Sequence, residues 1–262
     1  LASELLNGNT YHRYPDPDAN DLRDRLADDL KVSRDNILIG NGSDELIQIV
    51  TGAFAGWGDT VLCPVPSFSM YSQYTRIAGG IAEEYPLDEK FRYSLREIER
   101  AVSETEPKIL HICSPNNPTG STMLIPDIRK LAGSFDGIVV VDEAYYEFCG
   151  ESAVPYIESC PNLVILRTFS KAMGMAGLRV GYLVCNKNLA GEIHKVKPPY
   201  NVNSFSQRAA ELVLQQTEVR KERVKEIQKA REWLFQALDG LRGVDPYPSE
   251  ANFILMRVKN GA

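Results

Sequence analysis

Four short polar segments follow apolar stretches of the chain and carry the side chains best suited to chemistry. They are residues 40–45, 114–120, 142–145 and 167–172. Open α/β sheets bind their ligands at the carboxyl ends of the strands, where segments of this kind begin. Together the four segments therefore predict one site, which none of them would define alone.

Residues 167–172 place Lys171 among small and hydroxyl side chains, and Arg179 follows eight residues later. A lysine that is desolvated, or surrounded by other positive charge, can form a Schiff base with a carbonyl group. The hydroxyls of Thr168 and Ser170 and the guanidinium of Arg179 suit a dianionic phosphate. A single lysine would be read as a surface charge, but these neighbours favour a binding role.

Two loops offer groups that bind anions or polar oxygens. Residues 40–45 form a glycine turn before a predicted helix, whose free N–H groups favour a phosphate, although a plain capped turn fits equally well. Residues 114–120 contain two prolines and a glycine, which would hold an asparagine amide in a fixed orientation. An ordinary turn is the alternative for this second loop.

Asp142 follows the very apolar residues 138–141. An unpaired carboxylate would be costly there, so it needs a cationic partner. From the residues alone, a protonated ring nitrogen of a cofactor and a structural arginine are equally good candidates.

The composition excludes several classes of protein. The 262 residues include 29 Lys and Arg against 35 Asp and Glu, a net charge of −6, which excludes a globally basic nucleic-acid binder. No apolar run approaches the roughly 18 residues of a membrane-spanning helix, and residues 1–10 lack the pattern of an export signal. We therefore predict a cytoplasmic protein with neither a nucleic acid nor a membrane as partner.

The cysteines and histidines form no metal-binding pattern. The five cysteines are far apart without a CxxC pair, and the three histidines are scattered. We therefore predict free thiols and no metal site. His111 lies in an apolar run and is predicted to be a core residue.

Helical periods alternate with short apolar runs, which predicts an α/β protein with a mostly parallel sheet covered on both faces. Gly181 is predicted to pack closely against another group, and Ser43 is predicted to cap the helix that it precedes. The predicted helices are residues 20–30, the helix after Ser43, 69–78, 94–102 and 203–238. The predicted strands are residues 37–39, 60–63, 81–85, 109–113, 138–141, 163–166, 178–185, 244–247 and 252–258.

The change of composition after residue 200 predicts three regions. Residues 1–30 form an N-terminal segment and helix, and residues 31–200 form a large cofactor-binding domain. Residues 201–262 form a long helix and the start of a smaller C-terminal α+β domain. We expect this last domain to be incomplete, because the sequence ends soon after its second strand.

The motifs resemble those of the fold-type I, pyridoxal-phosphate-dependent aminotransferases, and within them the histidinol-phosphate aminotransferase family. The resemblance implies the fold of that group, a mostly parallel central sheet with helices on both faces and a smaller C-terminal α+β domain. It extends from about Tyr11 to Arg257 and keeps the family's order. The matching stretches are residues 13–17, 42–45, 66–71, 116–120, 142–145, 167–172 and 199–203.

The resemblance also implies three catalytic roles. Lys171 would form the Schiff base with pyridoxal phosphate and then move the proton between the substrate's α-carbon and the cofactor. Asp142 would keep the pyridine nitrogen protonated, so that the ring accepts electrons. Tyr145, together with Asn117, would hydrogen-bond the phenolate oxygen of the ring.

The remaining roles that the resemblance implies concern cofactor binding. Phe68 would stack on the ring, and Tyr14 would reach the phosphate bound by the neighbouring subunit, which implies a homodimer. The phosphate would be bound by the backbone amides of Ser43 and Asp44 and by the side chains of Thr168, Ser170 and Arg179.

The family's reaction moves an amino group between histidinol phosphate and 2-oxoglutarate, giving imidazole-acetol phosphate and L-glutamate, in histidine biosynthesis. Those small molecules are the expected partners. The family's substrate-covering N-terminal stretch and its C-terminal arginines have no match in the chain. We therefore expect a sequence truncated at both ends.

Three other functions stay open at this point. They are an aromatic-amino-acid aminotransferase, a lyase similar to threonine-phosphate decarboxylase, and a non-catalytic binding domain with the same fold. The binding domain is disfavoured because a structural role needs no such combination as Lys171, Asp142, Asn117, Tyr145 and Arg179.

Overall fold

A computed structural model of the chain describes residues 12–259. The predicted absence of an export signal concerns residues 1–10 and lies outside the described residues. The start of the predicted N-terminal region and residues 260–262 also lie outside them.

Helices and strands alternate along most of the described chain. The helices are α1 (Asn20–Leu30), α2 (Gly42–Phe54), α3 (Met70–Ile77), α4 (Leu95–Thr105), α5 (Ile125–Ser134), α6 (Tyr146–Cys149), α7 (Lys187–His194), α8 (Ser204–Leu214) and α9 (Thr217–Asp239). The strands are β1 (Ile37–Gly40), β2 (Thr60–Val65), β3 (Ile81–Pro86), β4 (Ile109–Cys113), β5 (Ile138–Asp142), β6 (Leu163–Thr168), β7 (Gly181–Cys185), β8 (Val244–Pro246) and β9 (Met256–Val258). Short 3₁₀ helices cover Arg34–Asn36, Val154–Tyr156 and Ala176–Leu178.

The first seven strands form one sheet in the order β1-β7-β6-β5-β4-β2-β3. Strand β7 is antiparallel to both of its neighbours, and the other pairs are parallel. The predicted mostly parallel sheet is therefore confirmed. This topology brings the carboxyl ends of β2, β4, β5 and β6 and the start of β7 to one edge.

Two hydrophobic cores cover the two faces of this sheet. Val139 and Val141 of β5 belong to one core together with Leu22 of α1. Val140 belongs to the other, together with Leu46 of α2. Because successive side chains of a strand point to opposite faces, a strand buried on both sides is a continuous apolar run, as the sequence predicted.

Two predicted boundaries near the sheet edge are wrong. Helix α2 begins at Gly42 with Asn41 as its cap residue, so Ser43 lies inside the first turn. The Asn41 amide donates to the Glu45 carboxylate at 2.7 Å, which fixes this start. Strand β7 begins at Gly181 and not at residue 178, because Arg179 has a left-handed φ of 51° that interrupts an extended chain.

Further differences concern the C-terminal part and the middle of the chain. Residues 203–238 are two helices, α8 and α9, that are separated at Gln215 and Gln216. The second strand predicted there is extended only over Met256–Val258. Helix α5 (Ile125–Ser134) was not predicted, and it starts with a proline in its first turn, a position that suits a helix start.

Gly181 packs closely against the start of α2. A Cβ atom at this position would overlap the backbone of Gly42 and Ser43. The predicted close approach is thus confirmed, and it holds the N-terminus of α2 against the sheet edge.

Hydrogen bonds link the C-terminal segment to the loop after β4 and to helix α9. Strands β8 and β9 form an antiparallel pair. The Glu250 amide donates to the Gly120 carbonyl at 2.8 Å, and Arg231 of α9 donates to the Ala251 carbonyl at 2.8 Å. Within residues 12–259, no helix is both long and apolar enough to cross a membrane.

Candidate active site

A cavity of about 240 Å³ lies at the edge where the parallel strands end. Ten of the eleven predicted site residues line it, namely Ser43, Asp44, Phe68, Asn117, Asp142, Tyr145, Thr168, Ser170, Lys171 and Arg179. Four other residues, to which the sequence analysis gave no role, also line it, namely Tyr71, Cys113, Ala144 and Ala176. The topology thus brings the four polar segments to one place.

Tyr14 is the predicted site residue that lies elsewhere. Its side chain is 82% exposed, and its ring stacks on that of Tyr200, with centroids 4.7 Å apart. It does not line the cavity of its own chain. Its predicted role concerns a neighbouring subunit and stays a prediction.

Asp142 ends β5 at the floor of the cavity and is only 3% exposed. The Tyr71 hydroxyl donates to its Oδ2 at 2.9 Å, and the Ala144 amide donates to its Oδ1 at 3.0 Å. Burial raises the pKa of Asp142 to about 6, although both hydrogen bonds lower it. No Lys, Arg or His among residues 12–259 forms an ion pair with this carboxylate.

The neighbouring acid, Glu143, is the one that pairs with an arginine. Arg167 Nη2 and Nε donate to Glu143 Oε2 at 2.8 and 3.0 Å, and both side chains are buried. The Tyr146 ring covers the Arg167 guanidinium, 3.3 Å from its centroid. The structural arginine that the sequence analysis left open for Asp142 therefore serves Glu143. The other candidate, a protonated ring nitrogen of a cofactor, stays a prediction for Asp142.

Breaking the buried pair should destabilise the fold. We expect Glu143→Gln to lower the free energy of unfolding by about 3 kcal/mol, because the Arg167 charge would stay buried without its counter-ion. Urea denaturation measures the change. Glu99→Gln is the matched control, because it breaks the exposed pair with Lys130, and its effect should stay under about 1 kcal/mol. Equal effects of the two variants would contradict the expectation.

Lys171 lies on a loop between β6 and β7 that is closed at its base. The Phe169 amide donates to the Val180 carbonyl at 2.9 Å, and the Met175 amide donates to the Phe169 carbonyl at 3.0 Å. Lys171 Nζ lies 5.2 Å from the centroid of the Tyr145 ring. Within the described part of the chain, its amine makes no hydrogen bond or ion pair, so it is free to react with a bound ligand.

Hydroxyl, amide and guanidinium donors form a cup beside Lys171. Thr168 Oγ1 accepts from the Ser170 amide at 3.1 Å and donates to Ser170 Oγ at 2.9 Å. Arg179 donates to Ser170 Oγ at 3.3 Å and to the Asp44 carboxylate at 2.6 Å. Gly42 has a left-handed φ of 73°, which favours glycine, and the Arg179 guanidinium lies close to the side of its Cα where a side chain would be. With the N-terminus of α2, these donors suit a phosphate.

The Asn117 loop is held in place by its neighbour, Asn116, which the sequence analysis did not single out. The buried Asn116 amide donates to the Pro66 carbonyl at 3.0 Å and to Thr119 Oγ1 at 2.7 Å, and its oxygen accepts from Ser67. These hydrogen bonds hold the Asn116 side chain within the protein, whereas the Asn117 side chain lines the cavity.

The family model for aminotransferases of class I and II matches residues 2–262. The chain belongs to this aminotransferase family. The expected enzyme class is therefore confirmed, and the observed sheet confirms the fold class.

Two curated relatives cover nearly all of this aminotransferase chain. A histidinol-phosphate aminotransferase of Caldanaerobacter subterraneus subsp. tengcongensis is 48% identical over 247 residues, which are 94% of this chain and 70% of the relative. The enzyme of that name from Thermoanaerobacter pseudethanolicus is 46% identical over 98% of this chain and 73% of its own length.

Solved structures of other aminotransferases and of a lyase share the fold. Histidinol-phosphate aminotransferase from Sinorhizobium meliloti, in complex with pyridoxal-5'-phosphate, superposes with a TM-score of 0.90 at 27% identity, covering 97% of this chain and 70% of that one. L-threonine-O-3-phosphate decarboxylase from Porphyromonas gingivalis superposes with a TM-score of 0.86 at 30% identity, covering 99% and 78%.

Proposed function

We propose that this aminotransferase uses pyridoxal phosphate to move an amino group between histidinol phosphate and 2-oxoglutarate, giving imidazole-acetol phosphate and L-glutamate in histidine biosynthesis. The substrate assignment rests on the 48% identity to a histidinol-phosphate aminotransferase over 94% of the chain. The geometry of the cavity supports the chemistry.

The buried Asp142 carboxylate is the observation that fits the cofactor. It faces the cavity without an ion pair among residues 12–259, and a carboxylate buried in this way needs a positive charge. A protonated pyridine nitrogen supplies one. When bound, pyridoxal phosphate acts as an electron sink that stabilises negative charge at the substrate's α-carbon.

The chain's own groups would divide the work as follows. Lys171 Nζ would attach the cofactor and would serve as the base that takes the proton from the substrate's α-carbon. Asp142 would keep the ring nitrogen protonated. Asn117 and Tyr145 would hydrogen-bond the phenolate oxygen, and Phe68 would cover the face of the ring.

The donor cup would hold the cofactor's phosphate. Backbone N–H groups of Ser43 and Asp44 lie in the first turn of α2, where the helix dipole favours an anion. The side chains of Thr168, Ser170 and Arg179 complete the cup. A bound phosphate would compete with Asp44 for the guanidinium and so separate that exposed pair.

The proposed assembly is a homodimer in the cytoplasm. Tyr14 lies far out on the surface, and its stacking on Tyr200 would present it to the phosphate site of a neighbouring subunit. The five cysteines are all free thiols, which suits a reducing compartment. We also propose the division into residues 1–30, 31–200 and 201–262.

Incubation of the purified protein with pyridoxal phosphate, histidinol phosphate and 2-oxoglutarate tests the reaction. We expect L-glutamate and imidazole-acetol phosphate to form in equal amounts. Glutamate alone should also change the visible absorbance of the bound cofactor, and 2-oxoglutarate should restore it. Glutamate formation with aromatic amino acids but not with histidinol phosphate would contradict the substrate assignment.

A lyase of the threonine-phosphate decarboxylase type is the second candidate, because such an enzyme superposes at 30% identity. Both reactions need the lysine and the aspartate. Only decarboxylation releases carbon dioxide, so release of labelled carbon dioxide from threonine phosphate would favour the lyase.

A further inference from the structure

We propose that Tyr71 is a positioning residue, which holds the Asp142 carboxylate ionised and aimed into the cavity. The sequence analysis did not identify Tyr71 as part of the site. The inference rests on the proposed role of Asp142 as the partner of the cofactor's ring nitrogen.

The two oxygens of Asp142 are held by two different donors. Tyr71, the second residue of α3, is fully buried and donates to Oδ2 at 2.9 Å. The Ala144 amide donates to Oδ1 at 3.0 Å. The Ala144 N–H group cannot accept a hydrogen bond from a protonated carboxyl group, so this pattern suits the carboxylate better than the acid.

Aromatic contacts fix the Tyr71 ring. It stacks on His111 with centroids 4.6 Å apart and planes 17° apart, and it forms a T-shaped pair with Phe68, with centroids 5.7 Å apart. His111 is fully buried, and burial lowers its pKa to about 3, so it contributes a neutral flat surface. The hydroxyl therefore points at Asp142 before any ligand binds.

Other titratable groups also face Asp142. Burial raises the pKa of Asp142, the hydrogen bond from Tyr71 lowers it, Asp44 raises it and Lys171 lowers it. The titratable groups around it on neighbouring elements are Asp44, Tyr71, Tyr93, Cys113, Tyr145 and Lys171. Within residues 12–259, Tyr71 is the side chain that donates a hydrogen bond to this carboxylate. It therefore most directly counteracts the rise in pKa that burial causes.

Tyr71→Phe tests the proposal, because it removes the hydroxyl and keeps the stacked ring. Binding of pyridoxal phosphate to the cofactor-free protein is measured by fluorescence quenching between pH 6 and pH 9. We expect the dissociation constant to rise about fivefold at pH 6 and to match that of the wild type at pH 9, where Asp142 is ionised in both proteins. The pH below which binding weakens should move up by about one unit, since loss of the donor raises the pKa of Asp142.

Tyr85→Phe is the matched control. Its hydroxyl is equally buried and donates to the His111 carbonyl at 2.7 Å, away from the carboxylate. The two variants should lower the melting temperature of the cofactor-free protein alike. Tyr85→Phe should leave the pH dependence of cofactor binding unchanged. If the role of Tyr71 were purely structural, Tyr71→Phe would leave it unchanged as well.

Asp142→Asn and the double variant complete the design. In the Asp142→Asn background, Tyr71→Phe should change the dissociation constant by less than about twofold, because the two residues act through one carboxylate. Asp142→Asn binding the cofactor as well as the wild type would overturn the proposed role of Asp142. The positioning role alone would be overturned if Asp142→Asn bound the cofactor weakly while Tyr71→Phe showed the same pH dependence of binding as Tyr85→Phe.

Discussion

Lys171→Ala is expected to reduce transamination by about 10⁴-fold, because one variant removes both the nucleophile and the base that transfers the proton. The protein should still fold, since the side chain is exposed at the cavity and makes no hydrogen bond among the described residues. Turnover of histidinol phosphate with 2-oxoglutarate measures the loss. The visible absorbance of the bound cofactor should change as well.

Two further variants separate the roles of the amine. Lys171→Arg keeps the positive charge but cannot attach the cofactor, so it should be as inactive as the alanine variant. Lys187→Ala removes an exposed lysine at the start of α7 and should leave turnover unchanged. Full activity of Lys171→Arg would contradict a covalent role.

Asp142→Asn should have opposite effects on function and on stability. Turnover should fall by about 10³-fold, as expected when a buried group that stabilises developing charge is removed. The cofactor-free protein, in contrast, should become more stable at pH 8, because the buried carboxylate no longer has to be ionised.

The pH dependence of this stability has a definite sign. Burial raises the pKa of Asp142 from 3.8 to about 6 in the folded, cofactor-free protein. Between these values the folded state binds more protons than the unfolded state, so the stability of the wild type falls as the pH rises. Ionising the buried carboxylate lowers the free energy of unfolding by about 3 kcal/mol, and the full loss is reached only above pH 6.

Urea denaturation of the cofactor-free protein at pH 5 and pH 8 checks this. The gain of Asp142→Asn over the wild type should be larger at pH 8 than at pH 5, reaching about 2 kcal/mol, because the buried amide has its own desolvation cost. Glu83→Gln, an exposed change on β3, is the control and should have no effect. A gain that is equal at the two pH values would contradict the burial of an ionised Asp142.

The sequence predicts the central sheet well, for a physical reason. Strands such as β4, β5 and β6 are covered on both faces, so each is an uninterrupted apolar run, and the polar residues that follow must lie at the carboxyl edge. That rule alone places Asp142 and Lys171 near each other.

What the sequence does not predict depends on tertiary contacts. Tyr71 reaches Asp142 across 71 positions of sequence, and its place in an amphipathic helix is that of any core residue. The sequence also does not predict the partner of Arg167. Asp142 and Glu143 are adjacent, and only the fold directs Glu143 to Arg167 and Asp142 to the cavity. The break between α8 and α9 carries no proline or glycine that would have marked it.

The loop that carries Lys171 is closed by hydrogen bonds at both ends, and this limits how the sequence can vary there. A residue inserted between Phe169 and Val180 would either open the base of the loop or shift the lysine amine away from Asp142. Substitutions in the loop change side chains without moving the amine, whereas insertions and deletions move it. Related enzymes that keep the chemistry should therefore keep the length of this loop together with Ser170, Lys171 and Arg179, whereas its other residues should vary.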